Sequence, residues 1–192
     1  IKECFGEKSD YALIGILKAA GVPALAIATS SIGASRGWKD YRAHGFSAAD
    51  AAAWVQITYA PYGIRSQLGA TVQTCHEAGY DLVEIALALR SVFDVDAATA
   101  LEYLLANTKK DVRDINEALA IAYQANPITM ALEAMIGSPM KNVVAALRNT
   151  YRVSDPETAL MYLKQAGYSR EDILHGMIEG YFPTYQRDPW LA

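Results

Sequence analysis

The sequence predicts an all-α fold, an α-solenoid of right-handed type with about six helical hairpins and a half-repeat at each end. Three observations carry this expectation. A helix-end signature recurs along the chain, an apolar triplet keeps step with it, and a second helix-start signal falls inside each interval.

The signature is clearest in Gly79-Tyr80-Asp81-Leu82-Val83-Glu84 and Gly167-Tyr168-Ser169-Arg170-Glu171-Asp172, with looser copies opening at Gly45, Asn107 and Gly137. Gly or Asn tolerates the left-handed conformation that closes a helix, and Ser, Thr or Asp then caps the next one. The predicted caps are Ser47, Asp81, Thr108, Ser138 and Ser169, at intervals of 34, 27, 30 and 31 residues. In four copies an acidic residue stands three positions after the cap, the spacing of a capping box.

The first helix of each unit, helix A, carries an apolar triplet at i, i+4 and i+8 that ends in an aromatic. The triplets are Ala51/Val55/Tyr59, Ile85/Leu89/Phe93, Ile115/Leu119/Tyr123, Val143/Leu147/Tyr151 and Ile173/Met177/Tyr181. That spacing holds three side chains on one helical face. Helix B begins at Asp96, at Asn126-Pro127 and at Ser154-Asp155-Pro156, where Pro inside a helix start sacrifices no hydrogen bond. Its apolar pairs are Leu101/Leu105, Leu132/Ile136 and Leu160/Leu163. Such a hairpin cannot bury its apolar face alone, so neighbours must stack.

The segment 22–44 is the least regular and reads as a degenerate repeat. With no Gly/Ser-rich or Pro-rich linker, residues 1–182 read as one array followed by a tail at 183–192. The register reaches back to the start of the chain. Ile1-Lys2-Glu3-Cys4-Phe5 stands where Leu147-Arg148-Asn149-Thr150-Tyr151 stands later, so the chain opens inside a helix A and ends on another without its helix B. With neither initiator Met nor signal peptide, Ile1 reads as a processing product or a cut.

Composition narrows the function. Of 192 residues, 52% are hydrophobic and 20% charged, enough for a sizeable core. A net charge of -4 with scattered Lys and Arg gives no support for binding nucleic acid. No apolar run has the length of a membrane span. His44 and His76 lie near closing turns, where a cation relieves the negative helix end. His175 lies on the last helix A, and no histidine pair has metal-ligand spacing. Asp94-Val95-Asp96 lacks the Gly and terminal Glu of a calcium loop. No phosphate loop, nucleophile elbow or Ser/His/Asp spacing occurs, so no catalytic, cofactor or metal residue is assigned and the chain reads as non-enzymatic. The repeated aromatics read as core. Phe46, Tyr80 and Tyr168, each following a closing Gly, read as the apolar contact of a Schellman ending.

Cys4 and Cys75 are two repeats apart in register, too far for a bridge within one chain. They read as buried thiols, or, more sharply, as partners in an intermolecular disulfide in an oxidising compartment. Tyr185 and Trp190 fit no repeat position and are candidates for contact with another molecule.

The phrase Leu163-Lys164-Gln165-Ala166-Gly167-Tyr168-Ser169, followed by an Ile-to-aromatic helix, resembles a tandem helical repeat of large bacterial secreted and surface-associated proteins. The likeness covers roughly residues 45–182, with a faint echo in 1–21. It implies a surface or extracellular setting (a cytoplasmic one stays open) and no catalytic residue. A half-repeat exposes core, and a head-to-tail contact that does not close gives a filament. The N-terminal edge (Ile1, Phe5, Leu13, Leu17) is therefore expected to meet the C-terminal edge (Ile173, Met177, Tyr181, Tyr185, Trp190) of a second copy, unless flanking repeats of one longer chain fill both. The first reading is a self-associating structural protein. The alternatives are a protein- or peptide-binding scaffold and an enzyme with a site between repeats.

Overall fold

The computed structural model describes residues 10–30 and 37–182, and these form twelve α-helices with no strand among the described residues. None of these helices is long and apolar enough to cross a membrane. Ile1, Cys4, Phe5, Tyr185 and Trp190 lie outside the described residues.

The chain divides into two compact units, Ile1–Lys109 and Lys110–Ala192. The first contains α1 (Asp10–Ala19), α2 (Ala24–Ala28), α3 (Trp38–Ala43), α4 (Ala48–Thr58), α5 (Ile64–Ala78), α6 (Leu82–Phe93) and α7 (Ala97–Asn107). The second contains α8 (Val112–Tyr123), α9 (Pro127–Glu133), α10 (Met140–Ala145), α11 (Pro156–Gln165) and α12 (Arg170–Gly180), with a π turn at Ala146–Thr150 after α10.

Within each unit a helix packs against the one two places further on. In the first, α2 meets α4, α3 meets α5, α4 meets α6 and α5 meets α7; in the second, α9 meets α11 and α10 meets α12. Sequential pairs such as α4–α5 and α11–α12 also touch, as helical hairpins do.

The apolar triplets explain this packing. Ala51, Val55, Ile85, Leu89, Ile115, Leu119, Val143 and Leu147 all have zero exposure, while the closing aromatics are half-buried. In the last triplet Ile173 is buried and Met177 half-buried. In helix B the core position is taken by Leu104 beside Leu101, with Leu105 half-buried. Ile136 is exposed because α9 ends at Glu133, before its turn of helix would bring it inward.

Three of the five predicted caps stand. Ser47 and Asp81 make capping boxes with Asp50 and Glu84, and Ser169 accepts from Asp172 N. Thr108 does not cap. Its hydroxyl donates back to Leu104 O at 2.7 Å, closing α7, and the cap of α8 is Asp111, whose carboxylate accepts from Arg113 N at 2.8 Å. Back-bonding to the i−4 carbonyl competes with capping in Thr, whereas Asp has only acceptors to offer. Ser138 is displaced by Pro139, which stands at the N-cap of α10 and has no side-chain acceptor. Nor does Asn107 adopt a left-handed conformation; its Nδ2 donates to Tyr103 O. Instead the left-handed non-glycine residues are Asp94, Gln124 and Arg152, each immediately after the aromatic that closes a triplet.

The segment 22–44 contributes the short helices α2 and α3, and α3 anchors an aromatic group. Trp38 stacks on Tyr41 at 4.8 Å and on Trp54 at 5.9 Å, and Tyr41 meets the edge of Phe46 at 5.6 Å.

Candidate functional site

Helix α12 is set by its ends and by two glycines. Ser169 caps it, and Glu171 and Asp172 place negative charge in its first turn, where the helix dipole favours it. Gly176 and Gly180, one turn apart, face α10. A Cβ on Gly176 would lie 2.5 Å from Met140 Cε and 3.2 Å from Val144 Cγ2, and one on Gly180 would meet Val144 Cγ1. The two backbones therefore approach as closely as they do only because both positions lack side chains.

A charged clasp closes this junction. Arg148 Nη1 donates to Gly180 O at 2.7 Å, and its guanidinium stands 5.7 Å from the centre of the Tyr181 ring. The Tyr181 hydroxyl donates to Val153 O at 2.7 Å. Burial pushes its phenol up to about 12, with Arg148 pulling the other way.

The first unit has a junction in the same register. Gln56 Nε2 donates to Val92 O at 3.2 Å. Gln56 and Arg148 each stand five residues after the first member of their own triplet, and Val92 and Gly180 each immediately precede the aromatic of the next.

The face that makes these junctions is not the triplet itself but the row beginning one residue later. At that position Ala52 and Ala86 have zero exposure, Asn116 2% and Val144 4%, whereas Leu174 on α12 is 63% exposed. Ile178 and Phe182 are 36% and 40% exposed, at register positions where Gln56, Arg90, Arg148, Asp94, Gln124 and Arg152 are exposed as well. Leu174 and Ile178 lie at i and i+4 and share one face of α12, which ends at Gly180, before Phe182. Among the described residues no helix follows α12.

Of the residues expected to form the C-terminal edge, Ile173 is a core residue, and Met177 and Tyr181 are half-buried against their own unit. At the N-terminal edge Leu13 is wholly buried and Leu17 half-buried. A side chain already enclosed by its own unit offers no area to another molecule, so Leu13 and Ile173 do not belong to an edge. The buried position at i+1 (Ala52, Ala86, Asn116, Val144) was missed because only one triplet was read on each helix, and the close approach of α12 to α10 was signalled by Gly176-x-x-x-Gly180.

Cys75 is wholly buried in α5 as a free thiol, its Sγ 3.8 Å from Ala48 O. Burial, with Glu84 adding, pushes that thiol up to about 12. It is thus neither ionised nor accessible near neutral pH, and it cannot meet a thiol of another copy without opening the unit.

The closing turns hold a second set of contacts. Phe46 N and Tyr80 N bond the carbonyls of Tyr41 and Cys75, the long bond of a Schellman ending. The Tyr80 hydroxyl also reaches back to Phe46 O at 2.7 Å, and that of Tyr168 to Leu132 O at 2.9 Å. Lys18 Nζ lies 4.6 Å above the Phe46 ring and donates to His44 O at 2.9 Å. Lys18 thus brings a cation to that helix end, while the His44 ring lies against Tyr11 at 4.3 Å. Arg42 repeats the arrangement over Tyr80 at 5.3 Å. His175 is exposed and pairs with Glu179 at 3.6 Å.

Among the described residues, two shallow clefts open on the surface. One, of about 210 Å³, is lined by Lys141, Val144, Arg148, Asn149, Glu179 and Gly180. The other, of about 480 Å³, is lined by Thr58, Tyr59, Tyr62 and Ser66. Neither brings a nucleophile, a base and an oxyanion donor together. Compared with known protein families, curated proteins and solved structures, the chain matches none.

Proposed function

We propose that the chain is a non-catalytic structural protein, an α-solenoid of stacked helical hairpins that associates head-to-tail with further copies, as the subunit of an extracellular filament or a segment of a larger surface protein. The observation that carries this reading is Leu174, 63% exposed on α12 at the position where Ala52, Ala86, Asn116 and Val144 of earlier helices are buried. A leucine side chain gains about 1.5–3 kcal/mol on full burial, which favours covering Leu174. The packing of α2 on α4, α3 on α5, α4 on α6, α5 on α7, α9 on α11 and α10 on α12 supports the solenoid. A contact made by different surfaces on the two partners propagates rather than closing as a dimer.

Light scattering across a concentration series tests this. The full chain is expected to grow in mass with concentration, and Leu174→Asp to hold it at the monomer mass with an unchanged helical circular dichroism spectrum. Leu174 is exposed in the unit, so the substitution leaves the fold intact. A monodisperse monomer at every concentration overturns the reading and favours a partner-binding scaffold.

A further inference from the structure

We propose that the cleft between the end of α4 and the start of α5 is a saccharide-binding site, in which the Tyr62 ring stacks on the apolar C–H face of a neutral sugar. This goes beyond the self-association proposed above and does not depend on it.

The hairpin of α4 and α5 departs from its siblings at the turn. The turns that lead into α7, α9 and α11 end on Asp96, Asn126 and Asp155, each a polar side chain that accepts from the amide three residues on. Between α4 and α5 stands instead the 3₁₀ turn Ala60-Pro61-Tyr62, closed by Gly63, and α5 has no side-chain cap. Tyr62 is 71% exposed, and Ile57 and Ile64 nearby in the sequence are exposed as well. Exchanging a polar cap for exposed apolar side chains at one turn gains no stability there. Such a lapse in local consistency marks a place kept for contact with something else.

The cleft has the size and the lining of a ligand site. Its volume of about 480 Å³ lies within the roughly 300–1,000 Å³ of small-molecule sites. Thr58, Tyr59, Tyr62 and Ser66 line it, and the two rings stand 6.0 Å apart at 56°, as two inclined walls rather than a closed stack. Elsewhere tyrosine hydroxyls are engaged by backbone carbonyls: Tyr80 by Phe46 O, Tyr168 by Leu132 O and Tyr181 by Val153 O. Among the described residues, the hydroxyls of Thr58, Tyr59, Tyr62 and Ser66 make no such bond within the chain.

This lining selects its ligand by exclusion. No charged side chain lines the cleft, so an ion would lose water there without gaining a counter-charge. A wholly apolar ligand would cover the hydroxyls and satisfy none of them. A run of prolines offers carbonyls that accept but no donor, whereas each hydroxyl of the cleft both donates and accepts. A neutral sugar meets all of these conditions. Its ring carbons present an apolar face to an aromatic ring, and its own hydroxyls donate and accept around the edge. Thr58 is the last residue of α4 and Ser66 lies in the first turn of α5, and the two helices pack on each other, so the polar contacts are held in place.

Saturation-transfer difference NMR on the full chain tests the site. The probes are cellohexaose, maltohexaose and xylohexaose, with a proline decamer for comparison. The expected result is transfer to the ring C–H protons of at least one sugar and none to the decamer. Tyr62→Ala should cut that transfer about tenfold, the loss expected for one stacked ring, and Ser66→Ala by a smaller factor. Both side chains are exposed, so the helical circular dichroism spectrum stays unchanged. Tyr62→Phe keeps the ring and should retain most of the transfer. Ile136→Ala, at an exposed apolar residue of the other unit, is the control and leaves it as it was. No transfer to any of the sugars overturns the proposal, as does transfer that survives Tyr62→Ala. Transfer to the proline decamer that Tyr62→Ala removes makes the cleft a peptide site, and that overturns it too.

Discussion

Replacing Gly180 by Ala tests the close approach of α12 to α10. Helix propensity alone favours Ala over Gly by about 1 kcal/mol in a helix interior, and less here because Gly180 is the last residue of its helix. Against that stands Val144, 4% exposed, whose Cγ1 occupies the place of the new Cβ. A β-branched side chain in a helix has essentially one rotamer, so Val144 cannot swing aside and the helices must part. Overpacking of this kind costs about 1–3 kcal/mol, and displacement of Gly180 O weakens a charge-assisted bond from Arg148. The net expectation is a loss of about 1–2 kcal/mol, read as a fall in the urea midpoint at constant slope. Val144→Ala removes the obstruction, so the double variant should be more stable than the sum of the single effects predicts, a coupling of about 0.5–3 kcal/mol. If Gly180→Ala stabilises the protein, or the two changes simply add, the glycines are not there to admit Val144.

Truncating Leu89, Leu119 or Leu147 to Ala should each cost about 2–5 kcal/mol in urea unfolding, because all three have zero exposure. Lys110→Ala, on the exposed coil between α7 and α8, should stay within about 0.5 kcal/mol. Gln124 is left-handed without the local hydrogen bonding that helps Asn or Asp there, so Gln124→Gly should raise stability by up to about 1 kcal/mol. Burial pushes the phenols of Tyr41, Tyr162 and Tyr181 up to about 12, against 10.0 for a free tyrosine. Their raised values in the fold give stability that is whole below pH 10 and is lost as pH rises towards 12. Phenolate absorbance from these three should therefore appear together with loss of helical signal; ionisation near pH 10 in a still-folded chain would contradict their burial.

The helices were legible because capping and the 3.6-residue period are local. Asp81 with Glu84 and the Ile85/Leu89 face can be read from a dozen residues. What escaped depends on competition or on distance. Thr108 and Asp111 are both capable caps, and the choice between them turns on whether a hydroxyl prefers Leu104 O behind it to an amide ahead. Left-handed Gln124 and Arg152 carry no sign of their conformation, because neither residue type favours it, and each simply follows a half-buried aromatic as Asp94 does. The burial of the last helix escaped for a related reason. Ile173 and Leu174 are adjacent and both apolar, and only the neighbouring helices decide that the first turns inward and the second outward.

The closing glycines bear on which substitutions this chain can accumulate over generations. A Cβ at Gly45 would lie 2.8 Å from Lys18 Nζ, and one at Gly79 would lie 3.0 Å from Arg42 Nη1. At both places the missing side chain makes room for a cation from the preceding closing turn, as well as permitting the positive φ of 78° and 86°. Asn, the usual substitute in a left-handed turn, supplies the conformation but fills that space. Nothing lies within 4 Å of the corresponding position at Gly21, Gly137 or Gly167. Asn thus enters those three turns without moving a neighbour, whereas at Gly45 and Gly79 it turns the flexible head of Lys18 or Arg42 out of its place. In relatives of this chain, the identity of the residue at a closing turn should vary together with the length of the side chain two helices earlier.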